Sequence, residues 1–225
     1  VVAAVGGAVV SSIAGVVVIM HDVSEIRGLA QQMSYQAAHD PLTGLINRRE
    51  FERRLEQSLH AVRDEETSHV LCYLDLDRFK IINDTCGHQA GDTLLGQLGA
   101  LLKARIRWRD CLSRLGGDEF GVLLESCSLE EAIRSAEDLV ASIDDFKFEW
   151  EDRSFKLTAS IGVVPITSES SDVGSIMTAA DSACQAAKEA GRNRVHCFEE
   201  NDIDLMRRRR EIQWAARINN ALEEG

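Results

Sequence analysis

The sequence predicts an α/β sandwich in which one central sheet contains both parallel and antiparallel strands. Three observations lead to this fold class. From residue 39 to residue 198, segments with a helical spacing of apolar residues alternate with apolar runs of strand length. Hydrophobic residues make up 44% of the 225-residue chain, which is enough for an ordinary core. Only 2 prolines occur, so regular structure is expected to dominate.

The expected order of elements from residue 39 onward is α-β-α-β-β-α-β-α-β. The helical segments share an apolar face at three- and four-residue spacing. They comprise residues 48–63, 92–107, 129–143 and 173–190. The strands are apolar runs bounded by turn residues. They comprise residues 69–74, the two arms of a hairpin within 114–124, and residues 155–164 and 194–198.

The first 38 residues differ in character from the rest. Residues 1–20 carry no charge and are long enough to cross a bilayer. Glycines and serines interrupt them, however, and residues 15–20 form a β-branched run of strand length. A sheet strand is therefore favoured over a membrane helix by about two to one. Residues 24–38 predict a helix whose narrow apolar stripe favours a coiled-coil seam over packing within its own domain.

Charge and cysteine content narrow the function classes. The chain has 37 acidic and 25 basic side chains, and its net charge of −12 argues against binding duplex nucleic acid. Four arginines at 207–210 lie in a predicted helix over residues 206–222, where a solvated helix face is the simpler interpretation. Six cysteines without a C-x-x-C pair indicate reduced cytosolic thiols rather than disulfides or a zinc site. The sequence contains no P-loop.

A pair of aspartates is the first candidate for chemistry. Asp75 and Asp77 follow the buried strand 69–74, and because side chains alternate along a strand, both are expected to face the same side. Two facing carboxylates repel each other unless a cation lies between them. Oxygen ligands of this kind favour Mg²⁺ or Mn²⁺. For this pair alone, an equally good interpretation is that both residues shape a turn or cap a helix.

Two further clusters contain glycines, acids and cations. Gly116 and Gly117 predict a tight hairpin with room for a ligand beside its backbone, and Asp118 and Glu119 follow directly. The other cluster contains Lys188 and Arg192, which lie four residues apart on one helix face. These cations fit either phosphate binding or the ordinary stabilisation of a helix C terminus by positive charge.

Five segments, in this order and spacing, resemble the GGDEF family of diguanylate cyclases. They are residues 39–48 (HDPLTGLINR), 75–84 (DLDRFKIIND), 87–92 (GHQAGD), 114–120 (RLGGDEF) and 188–193 (KEAGRN). The resemblance covers residues 38–199 and is specific because five motifs agree in register. It implies a ferredoxin-like palm with a mixed, mainly antiparallel sheet, as in nucleotide cyclases. It also implies the condensation of two GTP molecules into cyclic di-GMP.

The resemblance implies roles for the residues at the motif positions. Mg²⁺ or Mn²⁺ is expected to be held by Asp75, Asp118 and the backbone oxygen of Leu76, with Glu119 as a further catalytic carboxylate. Guanine contacts are implied for Asn83, Asp92 and Gly117. Phosphate contacts are implied for Phe79, Lys80, Lys188 and Arg192. Two metal ions in such a site would activate the attacking 3′-hydroxyl and neutralise the leaving pyrophosphate.

Partners and regulation follow from the same resemblance. Arg107 and Asp110 have the spacing of the family's R-x-x-D site and are expected to bind cyclic di-GMP as an inhibitor. The R-x-x-D pattern also occurs by chance at helix ends. The fixed number of residues between this motif and Gly116 favours a product site over a chance occurrence by about three to one. Each domain would hold one GTP, so catalysis requires a homodimer. The alternative function is a GTP-binding module that regulates an attached cyclic di-GMP phosphodiesterase domain.

The sequence suggests four parts in all. Residues 1–23 are expected to be the remnant of a PAS-like sensor, 24–38 a helical linker, 39–199 the GGDEF domain, and 200–225 a helix leading to an EAL-type domain. The chain begins at Val1 rather than at a methionine, which favours a piece of a longer PAS–GGDEF–EAL protein. A cytoplasmic location without nucleic-acid partners is expected, with membrane attachment only in the longer parent.

Overall fold

The structure of the chain is a computed structural model. It describes residues 2–5, 8–13, 16–21, 33, 35–65 and 67–199. The chain divides into two compact units, Val1–His39 and Asp40–Gly225. The helix predicted over residues 206–222 lies outside the described residues, as does most of the helix predicted over 24–38. Residues 33 and 35–38 of that second segment are helical.

The first unit contains a three-stranded antiparallel sheet. Its strands are β1 (Val2–Val5), β2 (Ala8–Ile13) and β3 (Val16–His21), with β2 in the middle. The β-branched run thus forms a strand, which was the favoured of its two interpretations. Within the part of the chain that the structure describes, no helix combines the length and the apolar composition of a membrane span.

The second unit is built on a six-stranded mixed sheet. Its strands are β4 (Ile46–Asn47), β5 (His69–Leu76), β6 (Cys111–Gly116), β7 (Glu119–Leu124), β10 (Ala159–Ile166) and β11 (Arg194–Cys197). Across the sheet they lie in the order β11-β10-β5-β7-β6-β4. The two edge pairs are parallel and the three central pairs are antiparallel. The predicted fold class is therefore confirmed.

Helices cover both faces of this sheet. They are α1 (Arg48–Glu65), α2 (Phe79–Cys86), α3 (His88–Lys103), α4 (Leu129–Asp145) and α5 (Val173–Glu189). One core joins the sheet to α2, α3 and α4, and a second core joins it to α1 and α5. Alternate residues of β5 enter the two cores, for example Leu74 the first and Tyr73 the second. Burial on both faces explains why this strand is an unbroken apolar run in the sequence.

The predicted long strand over residues 155–164 is wrong. Its first part belongs to a separate hairpin of β8 (Lys147–Trp150) and β9 (Arg153–Lys156), and β10 begins only at Ala159. Thr158, between the two strands, accepts the backbone N–H of Asp77 with its carbonyl oxygen at 2.9 Å. This hydrogen bond continues the antiparallel pairing of β10 with β5 by one residue, so the break from β9 lies just before Thr158.

The region between β5 and β6 also differs from its prediction. The helix expected at residues 92–107 begins earlier and ends earlier, as α3, and the short α2 was not predicted. Only Phe79 and Ile82 of α2 are buried. Two apolar residues in eight are too few to establish a helical period.

Candidate functional site

Carboxylates from two neighbouring central strands meet where β5 ends and β7 begins. Asp75, near the end of β5, lies opposite Glu119, the first residue of β7. Asp118 occupies the two-residue turn between β6 and β7 together with Gly117, whose φ of 51° favours glycine. The Leu76 N–H donates to the Asp118 carbonyl oxygen at 3.3 Å, which ties this turn to the end of β5. We call Asp75, Asp118 and Glu119 the acidic rim.

Lys188 of α5 supplies a cation to the acidic rim. Its Nζ lies 2.6 Å from Asp75 Oδ2, and both side chains are largely buried. Burial raises the pKa of Asp75 to about 6; the Lys188 ammonium lowers it, and the charges of Asp118 and Glu119 raise it again. Burial lowers the pKa of Lys188, but the hydrogen bond and charge of Asp75 outweigh this and raise it overall. One ammonium does not neutralise three carboxylates, so the rim can accept further positive charge.

The acidic rim fits a metal that is shared with a ligand. In the described part of the chain, no group of three or more His, Cys, Asp or Glu side chains is arranged to hold a metal ion. Mg²⁺, however, is usually bound through one or two carboxylates together with substrate phosphates and water. Asp75, Asp118 and the backbone oxygen of Leu76 would be sufficient protein ligands under that condition.

The raised pKa of Asp75 predicts a pH-dependent metal affinity. Protons compete with a metal for a carboxylate of pKa about 6, so Mn²⁺ affinity should fall about fourfold between pH 7.5 and pH 5.5. Calorimetric Mn²⁺ titration at the two pH values measures this, with Asp75→Asn as the variant that removes the titrating group. Equal affinities at both pH values would contradict the prediction. Conversely, ionisation of Asp75 destabilises the metal-free fold as the pH rises through about 6.

The candidate base-binding residues lie between α2 and α3, in a region that we call the base cleft. Asn83 Oδ1 is buried and has no hydrogen-bond partner among the described residues. Gly91 lies so close that a Cβ at this position would overlap Asn83 Oδ1 and come within 3.0 Å of the Phe79 ring. Asp92 is exposed in the first turns of α3. A ligand with N–H donors would satisfy the buried amide oxygen, whose unpaired state is costly.

The residues with predicted phosphate contacts come from two elements. Lys188 and Arg192 lie at the C-terminal end of α5 and just beyond it. Lys80 is exposed in the first turn of α2, where a helix N terminus favours anions. The Phe79 ring is only 8% exposed and packs in the core, so this residue can meet a phosphate through its main chain alone.

Asp77 has a different environment from Asp75. Its carboxylate accepts hydrogen bonds from the hydroxyls of Thr158 and Ser160, both at 2.8 Å, and from the Asn193 backbone N–H at 3.1 Å. Of the two interpretations of the aspartate pair, metal binding suits Asp75, and the structural interpretation suits Asp77.

Comparison with known proteins identifies the family. A family model described as "Diguanylate cyclase, GGDEF domain" matches residues 37–194. The chain belongs to this GGDEF family. The probable diguanylate cyclase DgcE of Escherichia coli K12 is 43% identical over 185 residues, which cover 82% of this chain and 17% of DgcE. The cyclic di-GMP phosphodiesterase PdeB of Shewanella oneidensis MR-1 is 33% identical over 212 residues, which cover 94% of this chain and 24% of PdeB. The chain thus spans about a fifth of the length of these relatives.

Solved structures of GGDEF domains share the fold. The coiled coil and GGDEF domain of DgcB from Caulobacter crescentus, in complex with c-di-GMP, aligns with a TM-score of 0.74 at 26% identity. That alignment covers 78% of this chain and 93% of the solved DgcB chain. The GGDEF domain of PA1120 (TpbB or YfiN) from Pseudomonas aeruginosa aligns with a TM-score of 0.71 at 33% identity and covers 75% of this chain and 99% of that one.

The predicted product-binding residues of this GGDEF domain line a second cavity, against α4. Arg107 and Asp110 form the ends of a turn in which the Asp110 N–H donates to the Arg107 carbonyl oxygen at 3.0 Å. The cavity measures about 380 Å³, and Arg105 and Asp138 also line it. It therefore offers guanidinium and carboxylate groups side by side. Trp108, on the same turn, is 93% exposed.

Sequence reasoning missed the residues that hold the GGDEF hairpin in place. Arg114 Nη2 donates to the Gly117 carbonyl oxygen at 2.8 Å, and its Nη1 lies 3.1 Å from Asp40 Oδ2. Burial raises the pKa of Asp40, but hydrogen bonds from Thr43 and the Arg114 charge bring it below its usual value. The sequence did contain one signal for this role, because Arg114 is the only charged residue of the strand β6.

Tyr73 is a second residue that the sequence did not single out. It lies two residues before Asp75 on the same face of β5, and its hydroxyl is bonded to Glu119. Burial raises the pKa of Tyr73, and the Glu119 charge and hydrogen bond raise it further. The phenol therefore stays neutral and can support the Glu119 carboxylate as a donor.

Proposed function

We propose that this GGDEF domain is a diguanylate cyclase that condenses two GTP molecules into cyclic di-GMP and two pyrophosphates. The main observation behind the proposal is the acidic rim paired with Lys188, and the buried, unpartnered Asn83 Oδ1 of the base cleft supports it. The domain thus offers carboxylates for a metal, cations for phosphates and an unsatisfied amide for a base. Family membership supports the same reaction.

The rim would work by positioning and by charge. Asp75, Asp118 and the Leu76 carbonyl oxygen would hold Mg²⁺, which when bound neutralises the triphosphate and favours deprotonation of the attacking 3′-hydroxyl. Lys188 and Arg192 lie on the side where the pyrophosphate would leave and would stabilise its charge. Asn83 and Asp92 would fix the base, so that the α-phosphorus is held over the rim.

The reaction would need two copies of the domain. One rim and one base cleft hold one GTP, whereas the product contains two nucleotides. We therefore infer a homodimer in which two sites face each other, each 3′-hydroxyl attacking the α-phosphorus of the opposite nucleotide. Cyclic di-GMP would leave as the product and bind the cavity at Arg107 and Asp110 as an inhibitor.

A second function has one observation in its favour. The match to PdeB extends over 94% of this chain, and that relative is a cyclic di-GMP phosphodiesterase. The domain would then bind GTP in order to regulate an attached phosphodiesterase, while making little product itself.

Incubation of the purified protein with GTP and Mg²⁺, followed by chromatography of the nucleotides, separates the two functions. Cyclic di-GMP is expected for the cyclase. GTP binding without product in a sample shown to be dimeric would favour the regulatory module. A protein that binds no GTP would contradict both.

Base specificity gives a further prediction. Adenine lacks the oxygen and the N–H donors that Asn83 and Asp92 would pair with in guanine, and it would leave those polar groups unsatisfied. ATP should therefore show kcat/KM at least about 100-fold below that of GTP. Steady-state rates with each nucleotide test this, and comparable values would contradict the assignment of the cleft.

Product inhibition gives another prediction. Arg107→Ala removes a guanidinium from the cavity against α4, so the inhibition constant for cyclic di-GMP should rise about tenfold or more. The initial rate without product should not change, because the cavity lies apart from the rim. Arg109→Ala, on the same turn but outside the cavity lining, is the control. An unchanged inhibition curve for Arg107→Ala would overturn this regulatory role.

A further inference from the structure

We propose that Asp77 is a positioning residue for Arg192, one of the phosphate-binding cations. Its carboxylate holds the loop of residues 191–193, so that Arg192 presents its charge to the β- and γ-phosphates. The inference rests on the proposed function, since it takes a guanine nucleoside triphosphate as the ligand.

Asp77 joins the end of β5 to two other segments of the chain, residues 158–160 and the loop after α5. Its side chain is only 1% exposed. Thr158 donates from the segment before β10, Ser160 donates from β10 itself, and the Asn193 backbone N–H donates from the loop after α5. The Asp77 N–H in turn donates to the Thr158 carbonyl oxygen at 2.9 Å. The carboxylate is thus satisfied within the protein by three donors.

Arg192 compensates the buried charge without being buried itself. Its Nε lies 3.9 Å from Asp77 Oδ1, and its side chain is 48% exposed. A guanidinium carries five N–H donors, so an edge remains for a second anion. The same arginine can therefore be held by Asp77 and bind a phosphate.

The backbone of the loop needs such an anchor. Gly191, Arg192 and Asn193 all have positive φ, of 120°, 64° and 49°. Left-handed conformations at two successive non-glycine residues are costly and persist only where surrounding contacts impose them. Here the Arg192 N–H donates to the Ala187 carbonyl oxygen at 3.1 Å, and the Asn193 N–H donates to Asp77.

The position of this anchor links it to the rim. Ser160, which binds Asp77, lies opposite Asp75 in the pairing of β10 with β5. Asp75 and Asp77 thus contact Lys188 and Arg192 in parallel. The two aspartates lie two residues apart, near the end of β5 and just beyond it, and the two cations lie four residues apart, near the end of α5 and just beyond it. The Asp75–Lys188 pair would lie beside the metal, and the Asp77–Arg192 pair would hold the loop beyond α5 in place.

Binding of two nucleotides to Asp77 variants tests the inference. The probes are 3′-deoxy-GTP, which cannot condense, and GMP, which lacks the β- and γ-phosphates, both with Mg²⁺ and measured by calorimetry. Asp77→Ala, and to a smaller extent Asp77→Asn, should weaken 3′-deoxy-GTP binding about tenfold. GMP binding should stay within about twofold of the wild type, because the base cleft does not involve Asp77.

Two further variants make the test specific. In an Arg192→Ala background, Asp77→Asn should cause little additional loss, since the residue acts through Arg192. Ser160→Ala removes a donor on the strand side only and should leave the ratio of the two affinities unchanged. Asp77→Asn keeps an acceptor for the Asn193 N–H, so it serves where Asp77→Ala does not fold.

Three results would overturn the inference. They are equal losses for both nucleotides, no loss for 3′-deoxy-GTP, or a full loss that persists in the Arg192→Ala background. Failure of the wild-type protein to bind either nucleotide would instead contradict the proposed function itself, and this inference with it.

Discussion

Asp118→Ala is expected to reduce cyclic di-GMP synthesis about 1000-fold or more. The substitution removes one of the two side chains that would ligate the metal, leaving Asp75 beside Lys188. The fold should remain intact, because Asp118 contacts Leu76 through its main-chain oxygen, which the substitution retains. Initial rates and thermal melting curves of the same samples measure the two effects separately.

Asp152→Ala is the matched control for this substitution. Asp152 is also the second residue of a two-residue hairpin turn, between β8 and β9, but it is exposed and lies outside the acidic rim. It should retain wild-type activity. An Asp118→Ala protein with an undiminished rate would show that the rim is not the catalytic centre.

Gly162→Ala should give the largest loss of stability of any substitution considered for this domain. A Cβ at Gly162 would overlap the Ala180 carbonyl oxygen and the Cys184 nitrogen of α5. These are backbone atoms of a helix, so they can give way only if α5 moves off β10. We expect the free energy of unfolding to fall by about 3 kcal/mol in urea titrations.

The control for this stability prediction is Gly96→Ala. Gly96 lies inside α3, and the nearest atom to its Cβ position is the Leu42 carbonyl oxygen at 3.8 Å. Alanine there should be neutral or stabilising by up to about 1 kcal/mol, because it is the better helix former. Equal effects of the two substitutions would contradict the close packing of α5 on the sheet. Displacement of α5 would also move Lys188 away from Asp75.

Elements with strong periodicity could be predicted from the sequence. The apolar face of α1 (Phe51, Leu55, Leu59 and Val62) packs in the second core as its spacing indicates. The hairpin around Gly117 also follows from the sequence, because few residues other than glycine suit its turn. In contrast, α2 is too short for a period, and the break between β9 and β10 falls inside a segment that the sequence predicts as one continuous strand.

The sequence could indicate which residues belong to the candidate site, but not which carboxylate contacts which cation. Motif positions singled out Asp75, Asp118, Lys188 and Arg192 without showing which carboxylate meets which cation. Asp75 and Asp77 are chemically identical in the sequence, and only the surroundings separate a rim carboxylate from a buried one. Contacts between distant segments, such as Asp40 with Arg114, depend on the strand order and have no local signature.

The rate of GTP consumption as a function of protein concentration distinguishes a dimeric cyclase from a domain that acts alone. With Mg²⁺ present, one cyclic di-GMP should form for every two GTP consumed, and the specific activity should rise with protein concentration through the range of dimer formation. Hydrolysis of GTP to GDP in place of cyclic di-GMP, or a specific activity that is independent of protein concentration, would contradict a cyclase built from two facing sites.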